Sequence, residues 1–211
     1  MNSRVILVSD DRSSLRSPDT LLWPDAACMR GIHTGEWTAH IFEYAMSFEG
    51  NMTQVRELAA ANGVGVLHPH GALATDPPGL IVCDVDSTVT RTEAIDLLAE
   101  CAGKADEVRE ITARAMVGEL DFTQSLYARV RCLEGLHIGA LEEAWKATVI
   151  TPGTAELVAA AHDVGAAVGL VSGGFTAIVD PLAEQIRADF AASNELEIVD
   201  NHLTGRVVGD I

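Results

Sequence analysis

The chain has 211 residues, 48% of them hydrophobic, and sets 14 Lys and Arg against 31 Asp and Glu for a net charge of −17. That is enough apolar chain for one medium domain plus a small one, and the acidity argues against nucleic acid and anionic membranes as partners, because both would repel it. No run approaches a membrane span, the short apolar run at residues 5–8 ahead of Asp10-Asp11 is no signal peptide, and four cysteines without a Cys-x-x-Cys pair point to reduced thiols in a cytoplasmic protein.

Residues 4–8 read as a strand, 40–48 as a second, 52–62 as an amphipathic helix closed by Gly63, and 64–67 as another strand. They define a small α+β module over residues 1–76, bounded by the turn-rich Asp76-Pro77-Pro78-Gly79. Its closing order of strand, helix, strand resembles part of a ligand-binding regulatory domain of the ACT type, although residues 11–35 show no clean first helix. A homodimerisation or packing module is an equal reading. His68-Pro69-His70 has no Cys or carboxylate beside it and makes a poor metal site.

Residues 80–83 form an apolar run that reads as a buried parallel strand, and it leads directly into Asp84-Val85-Asp86-Ser87-Thr88. Side chains alternate along a strand, so Asp84 and Asp86 project the same way where the chain leaves the sheet, which is where ligands bind in open α/β folds. Paired carboxylates at this spacing suit phosphoryl transfer through a covalent intermediate, with Asp84 as nucleophile and Asp86 as general acid and base. The bland alternative is a strand that ends in an acidic turn.

Residues 91–150 read as helical. Ile95, Leu98, Ala99 and Ala102 share one face of a helix that ends at Gly103, and three more candidates span 104–117, 121–133 and 139–148, separated by Gly118 and Gly135. A second short apolar strand at 166–171 is followed by Ser172-Gly173-Gly174, where a hydroxyl and two unencumbered amides would cradle an anion; a tight glycine turn is the alternative. A helix then starts either at Phe175 or at Asp180-Pro181.

The segments Asp84-Val85-Asp86-Ser87-Thr88, Glu93 to Ala99, Ala115 to Phe122, Ser125-Leu126, Arg129-Val130, Thr151-Pro152-Gly153, Val171 to Phe175 and Leu203-Thr204-Gly205 occur in an order and spacing similar to the haloacid dehalogenase superfamily. Within it they resemble the phosphoserine phosphatase family, over residues 80 to 211. The resemblance implies an α/β fold with a Rossmann-like parallel sheet core over 77–211, incomplete at its C-terminal side, and a helical cap at about 91–150 that closes over the site. It implies a hydrolase of serine biosynthesis that converts L-phosphoserine to L-serine and phosphate through an aspartyl-phosphate. Asp84 and Asp86 would be catalytic and hold Mg²⁺, and Ser172, Gly173 and Gly174 would bind the phosphate.

Glu93 would meet the substrate ammonium and Arg129 its carboxylate, a bidentate match, with Met116 and Phe122 as the apolar wall. Without the family, Glu93 is equally a first-turn helix acid, Arg129 a surface charge, and Met116 and Phe122 core residues. A cation is required on physical grounds as well. Two unit charges about 4 Å apart interact by about 4 kcal/mol at an effective dielectric near 20, and a phosphate facing two carboxylates feels several such repulsions. Mg²⁺ suits such oxygen ligands. A phosphotransferase, a phosphatase for another small amino-alcohol phosphate, and a non-catalytic binding protein are the alternatives.

One departure stands out. The family's later Lys and acidic Gly-Asp-x-x-x-Asp loop are not found before Val208-Gly209-Asp210-Ile211. The expectation is an N-terminal portion of a longer enzyme, with little activity by itself and with the strand that carries Asp84 at a bare sheet edge.

Overall fold

A computed structural model describes residues 3–9, 27–33, 38–44 and 52–209. The chain divides into two compact units, Met1–Pro77 and Pro78–Ile211.

In the first unit, strands β1 (Ser3–Ser9), β2 (Ala27–His33), β3 (Thr38–Tyr44) and β4 (Gly65–Leu67) form one sheet in the order β2-β3-β1-β4, and helix α1 (Met52–Ala61) joins β3 to β4. All three pairings are antiparallel. β3 and β4 therefore run parallel on either side of β1, half of a split β-α-β arrangement. Val5 and Leu7 alternate on one face of β1 and meet Val55 and Ala59, one turn apart on α1, together with Val64. Gly63, at φ +69°, ends the helix where other residues would strain. The expected strand over 40–48 is found as Thr38–Tyr44, its remaining residues lying outside the described ones. β2 falls where no element was expected.

The second unit is α/β. Strands β5 (Leu80–Cys83), β6 (Ala167–Phe175), β7 (Phe190–Val199) and β8 (His202–Val208) lie in the order β5-β6-β7-β8. The first three are parallel, and β8 returns antiparallel through Asp200 and Asn201, both at positive φ as a two-residue hairpin turn demands. Helices α2 (Ala94–Cys101), α3 (Ala105–Met116), α4 (Phe122–Arg131) and α5 (Gly139–Ala147) form an insert between β5 and β6. α6 (Thr154–Asp163) and α7 (Thr176–Ile186) flank β6 in the chain.

The insert has its own core of Ile95, Leu98, Val108, Leu126, Val130 and Leu133, continued by Phe175, Ile178, Leu196 and Leu203. Under the sheet, Val85, Val89, Val158, Val168, Leu170, Val179 and Leu182 form a second. β5 lies at the edge of the sheet, as expected for the strand that carries Asp84, and not buried on both sides as its apolar run alone suggests. It pairs only with β6 among the described residues, and Leu80 and Val82 are about half exposed while Ile81 and Cys83 face partly inward.

One further detail differs from the sequence reading: residues 172–174 continue β6 rather than turning, and none of them has a positive φ. Of the two helix starts the sequence offered, the structure takes the one at Phe175, which caps α7 (Thr176–Ile186), so Pro181 lies inside the helix. The helix forgoes one backbone hydrogen bond there because Ile178, Val179, Leu182 and Ile186 need its apolar face buried.

Candidate active site

Asp84 ends β5 in an extended conformation and opens a single wide turn over Val85–Val89. Ser87 sits in this turn at φ +57°, a left-handed conformation that a short polar side chain tolerates better than a branched one. The turn is pinned from below: the Thr90 N–H donates to the Val85 carbonyl over 2.9 Å, and its buried hydroxyl contacts the Val85 and Thr92 carbonyls. Thr151 braces the same turn, its hydroxyl donating to the Thr88 carbonyl over 2.8 Å.

The two carboxylates then meet different surroundings. The Thr88 hydroxyl donates to Asp84 over 3.3 Å. Asp86 accepts from the Ala94 N–H at the start of α2 over 2.8 Å on one oxygen and from the Ser172 hydroxyl over 3.3 Å on the other. Burial raises the Asp86 pKa above the ordinary carboxylate range; the Ala94 and Ser172 hydrogen bonds oppose this, and the Glu93 and Asp84 charges add to it. One carboxylate is thus biased toward holding a proton beside another, as general acid chemistry requires.

The glycines serve close approach rather than a turn. A Cβ on Gly174 would sit 2.7 Å from an Asp86 oxygen and 3.0 Å from the Ser172 hydroxyl, and one on Gly173 would sit 2.8 Å from the Phe122 ring. The Gly174 N–H is already engaged, donating to the Ser172 oxygen over 2.8 Å. The anion cradle read from Ser172-Gly173-Gly174 is therefore partly occupied by the protein's own groups.

A cleft of about 200 Å³ opens above these residues, lined by Asp84, Asp86, Glu93, Phe122, Arg129, Gly173 and Gly174. Its size suits a small metabolite, being below the roughly 300–1,000 Å³ of drug-sized sites. Glu93 occupies the cap position of α2 without capping it, and its carboxylate instead accepts from the Ser87 hydroxyl over 3.1 Å. The Arg129 guanidinium donates to the Ser125 carbonyl over 3.4 Å. Ser172 sits behind the cleft wall, and Met116 stands apart, 84% exposed at the C-terminus of α3. Ile95, Leu126 and Phe175 also line the cleft. Leu126 was legible, since Phe122, Leu126 and Arg129 follow the i, i+4, i+7 spacing of one helix face.

Three carboxylates and one guanidinium thus line a site for which an anion is the expected substrate. No group of three metal-binding side chains occurs among the described residues. Two hard oxygen donors nevertheless fit a small divalent cation that takes one or two protein carboxylates and leaves its other positions to substrate and water.

Residues 81–210 match the family model of the haloacid dehalogenase-like hydrolases. A Streptomyces coelicolor protein named phosphoserine phosphatase is 48% identical over 153 residues, 72% of this chain and 37% of its own. Its Streptococcus thermophilus namesake is 50% identical over 133 residues, covering 63% of this chain and 62% of its own. The chain thus spans between about a third and two thirds of the length of these curated relatives. Among solved structures, a phospho-aspartyl intermediate analogue of phosphoserine phosphatase superposes with a TM-score of 0.60 at 40% identity, covering 64% of each chain. With a family match that runs from β5 to the end of the β7–β8 hairpin, the chain belongs to the haloacid dehalogenase-like hydrolase family.

Proposed function

We propose that this protein is a metal-dependent phosphomonoesterase that hydrolyses L-phosphoserine to L-serine and phosphate. The observation that carries the reading is the pairing of Asp84 with a half-buried Asp86, whose pKa burial raises, in one small cleft that also holds Glu93 and Arg129. The named relatives and the phospho-aspartyl analogue support the same chemistry.

Asp84 attacks phosphorus, and Asp86 donates its proton to the departing serine oxygen. The aspartyl-phosphate then accepts water, whose proton Asp86 takes, and phosphate leaves. Glu93 pairs with the substrate ammonium and Arg129 with its carboxylate, while Phe122 excludes water from the reacting face. Gly173 and Gly174 border the phosphoryl group in the cleft, while Ser172 acts from behind them on Asp86. Met116, at the end of α3, completes the apolar wall only in a more closed arrangement of α3 and α4.

Phosphatases of this family generally depend on a metal, and we assign Mg²⁺ to the Asp84 carboxylate and the Asp86 backbone carbonyl, which leaves the Asp86 carboxyl free for proton transfer. When bound it neutralises charge on the phosphoryl oxygens. Free thiols at Cys83, Cys101 and Cys132 are consistent with a cytoplasmic setting. No helix among the described residues is long and apolar enough to cross a membrane. The first unit is assigned as an ACT-like regulatory or homodimerisation module.

Phosphate release from L-phosphoserine in Mg²⁺, with phosphoenzyme trapped by rapid acid quench, tests the reading, and it is run on the whole gene product because this chain spans only part of its relatives' length. Asp84→Asn abolishes both signals. Normal turnover by that variant would overturn it.

A further inference from the structure

We infer that Asn194 is a positioning residue of the phosphoryl site, acting through the Gly173–Gly174 peptide and the Ser172 hydroxyl on Asp86. The inference rests on the phosphatase reading above and adds a residue that the sequence did not suggest.

The starting observation is a break in the sheet. β6 and β7 run in register from Gly169 opposite Phe190 to Val171 opposite Ala192, and pairing resumes with Phe175 opposite Asn194. Three residues of β6, Ser172 to Gly174, thus stand opposite the single Ser193, so the strand bulges toward the cleft at the point where it lines the site. A bulge removes ladder partners, and its peptide groups must find others. The Asn194 side chain supplies one: its Nδ2 donates to the Gly173 carbonyl over 2.9 Å.

That carbonyl belongs to the same rigid peptide plane as the Gly174 N–H. The Gly174 N–H donates to the Ser172 hydroxyl oxygen over 2.8 Å, and the hydroxyl donates to the Asp86 carboxylate over 3.3 Å. A continuous series therefore runs from the Asn194 amide through one peptide unit and one hydroxyl to the carboxylate. Each bond polarises the next in the same sense. Glycine's lack of a Cβ leaves this peptide otherwise free to rotate. Holding its carbonyl on one side fixes the N–H on the other, and that in turn aims the Ser172 proton at Asp86. Asn194 does not line the cleft.

The inference predicts a defect at the reacting end of the substrate and none at its amino-acid end. In Asn194→Ala, kcat for L-phosphoserine falls about tenfold, the factor that one hydrogen bond of about 1.4 kcal/mol represents. KM changes less than about twofold, and p-nitrophenyl phosphate, which has neither ammonium nor carboxylate, loses the same factor. Asn194→Gln, which keeps the amide donor, recovers most of the loss. The Gly174 amide proton resonance moves upfield in Asn194→Ala and returns in Asn194→Gln. This measurement needs no turnover.

An unchanged Gly174 resonance in a folded Asn194→Ala variant overturns the inference, as does a kcat within twofold of the parent or a defect confined to KM for phosphoserine. Should the parent protein hydrolyse no phosphomonoester, the phosphatase reading falls, and the Gly174 resonance alone then decides whether Asn194 holds this peptide.

Discussion

Gly174→Ala tests the site's geometry most directly. The added Cβ would lie 2.7 Å from an Asp86 oxygen, and ordinary contact begins near 3.4 Å, so carboxylate and strand must separate by about 0.7 Å. The Ser172 hydroxyl, 3.0 Å from the same Cβ, has to move as well, which breaks its already long 3.3 Å bond to Asp86. Overpacking costs about 1–3 kcal/mol, and losing a hydrogen bond to a charged group about 1.5–3 kcal/mol. Gly174 has no positive φ, so alanine restricts the unfolded chain without backbone strain and returns about 0.4–1 kcal/mol. The net expectation is a loss of about 1.5–5.5 kcal/mol, read as a lower urea midpoint at unchanged slope. Phosphatase turnover falls between about tenfold and 100-fold, because a displacement approaching 1 Å at a catalytic group costs of that order. Gly79→Ala is the control, since nothing lies within 4 Å of its Cβ position and its φ is not positive. If Gly174→Ala matched Gly79→Ala in both stability and turnover, the close approach of β6 to Asp86 would not constrain the site.

Arg129→Ala should raise KM for phosphoserine about 10- to 100-fold, the value of a charged hydrogen bond, and leave p-nitrophenyl phosphate nearly unaffected; an equal effect on both substrates would remove Arg129 from carboxylate recognition. Asp121 caps α4, accepting from the Gln124 N–H over 2.7 Å while the Gln124 side chain accepts from the Asp121 N–H over 3.1 Å. Asp121→Ala should cost about 0.5–2 kcal/mol in thermal or urea unfolding, and no loss would mean that α4 is held by its packing alone. The raised Asp86 pKa means that the folded protein binds this proton more tightly than the unfolded chain does. Its contribution to stability therefore falls as pH rises from the ordinary carboxylate value through the raised one. Asp86→Asn, unfolded by urea in chelator across that window, should lack this fall, and an unaltered slope would contradict the burial of the carboxylate.

The elements whose signals are local were legible in the sequence, and those set by distant partners were not. Ile95 and Leu98 spaced along a helix, Gly103 at φ +66°, and Asp121 with Gln124 as a reciprocal cap mark the insert within a few residues of each feature. The Asp84–Asp86 pair was legible because strand alternation fixes its direction. Ser172-Gly173-Gly174 has the composition of a turn, yet its glycines are required by Asp86, 86 residues earlier than Ser172, and by Phe122. Asn194 gave no signal for the same reason, as its role exists only once β6 bulges against β7. Pro181 marked a plausible helix start, and the burial of Ile178 and Val179 before it overrode that signal.

The substrate cleft is assembled from two walls with different anchors, and this bears on selectivity. Asp86 and Glu93 belong to one locked segment, since the Ala94 N–H holds Asp86 and the Ser87 hydroxyl holds Glu93. The opposite wall, Phe122 with Arg129, rides on α4. Two places where a side chain is missing seat that helix: Phe122 rests on Gly173, and the backbone of Arg131 approaches Gly205 so closely that a Cβ there would lie 3.3 Å from its Cα. Arg129 stands between these contacts on a helix whose Leu126 and Val130 are buried in the insert's core, so its position in the cleft depends on that packing together with the two glycine contacts. Enlarging Gly173 should therefore change which ammonium-to-carboxylate spacing the cleft accepts, whereas a side chain at Gly205, at φ +77°, adds backbone strain to any shift of α4 and should cost stability as well.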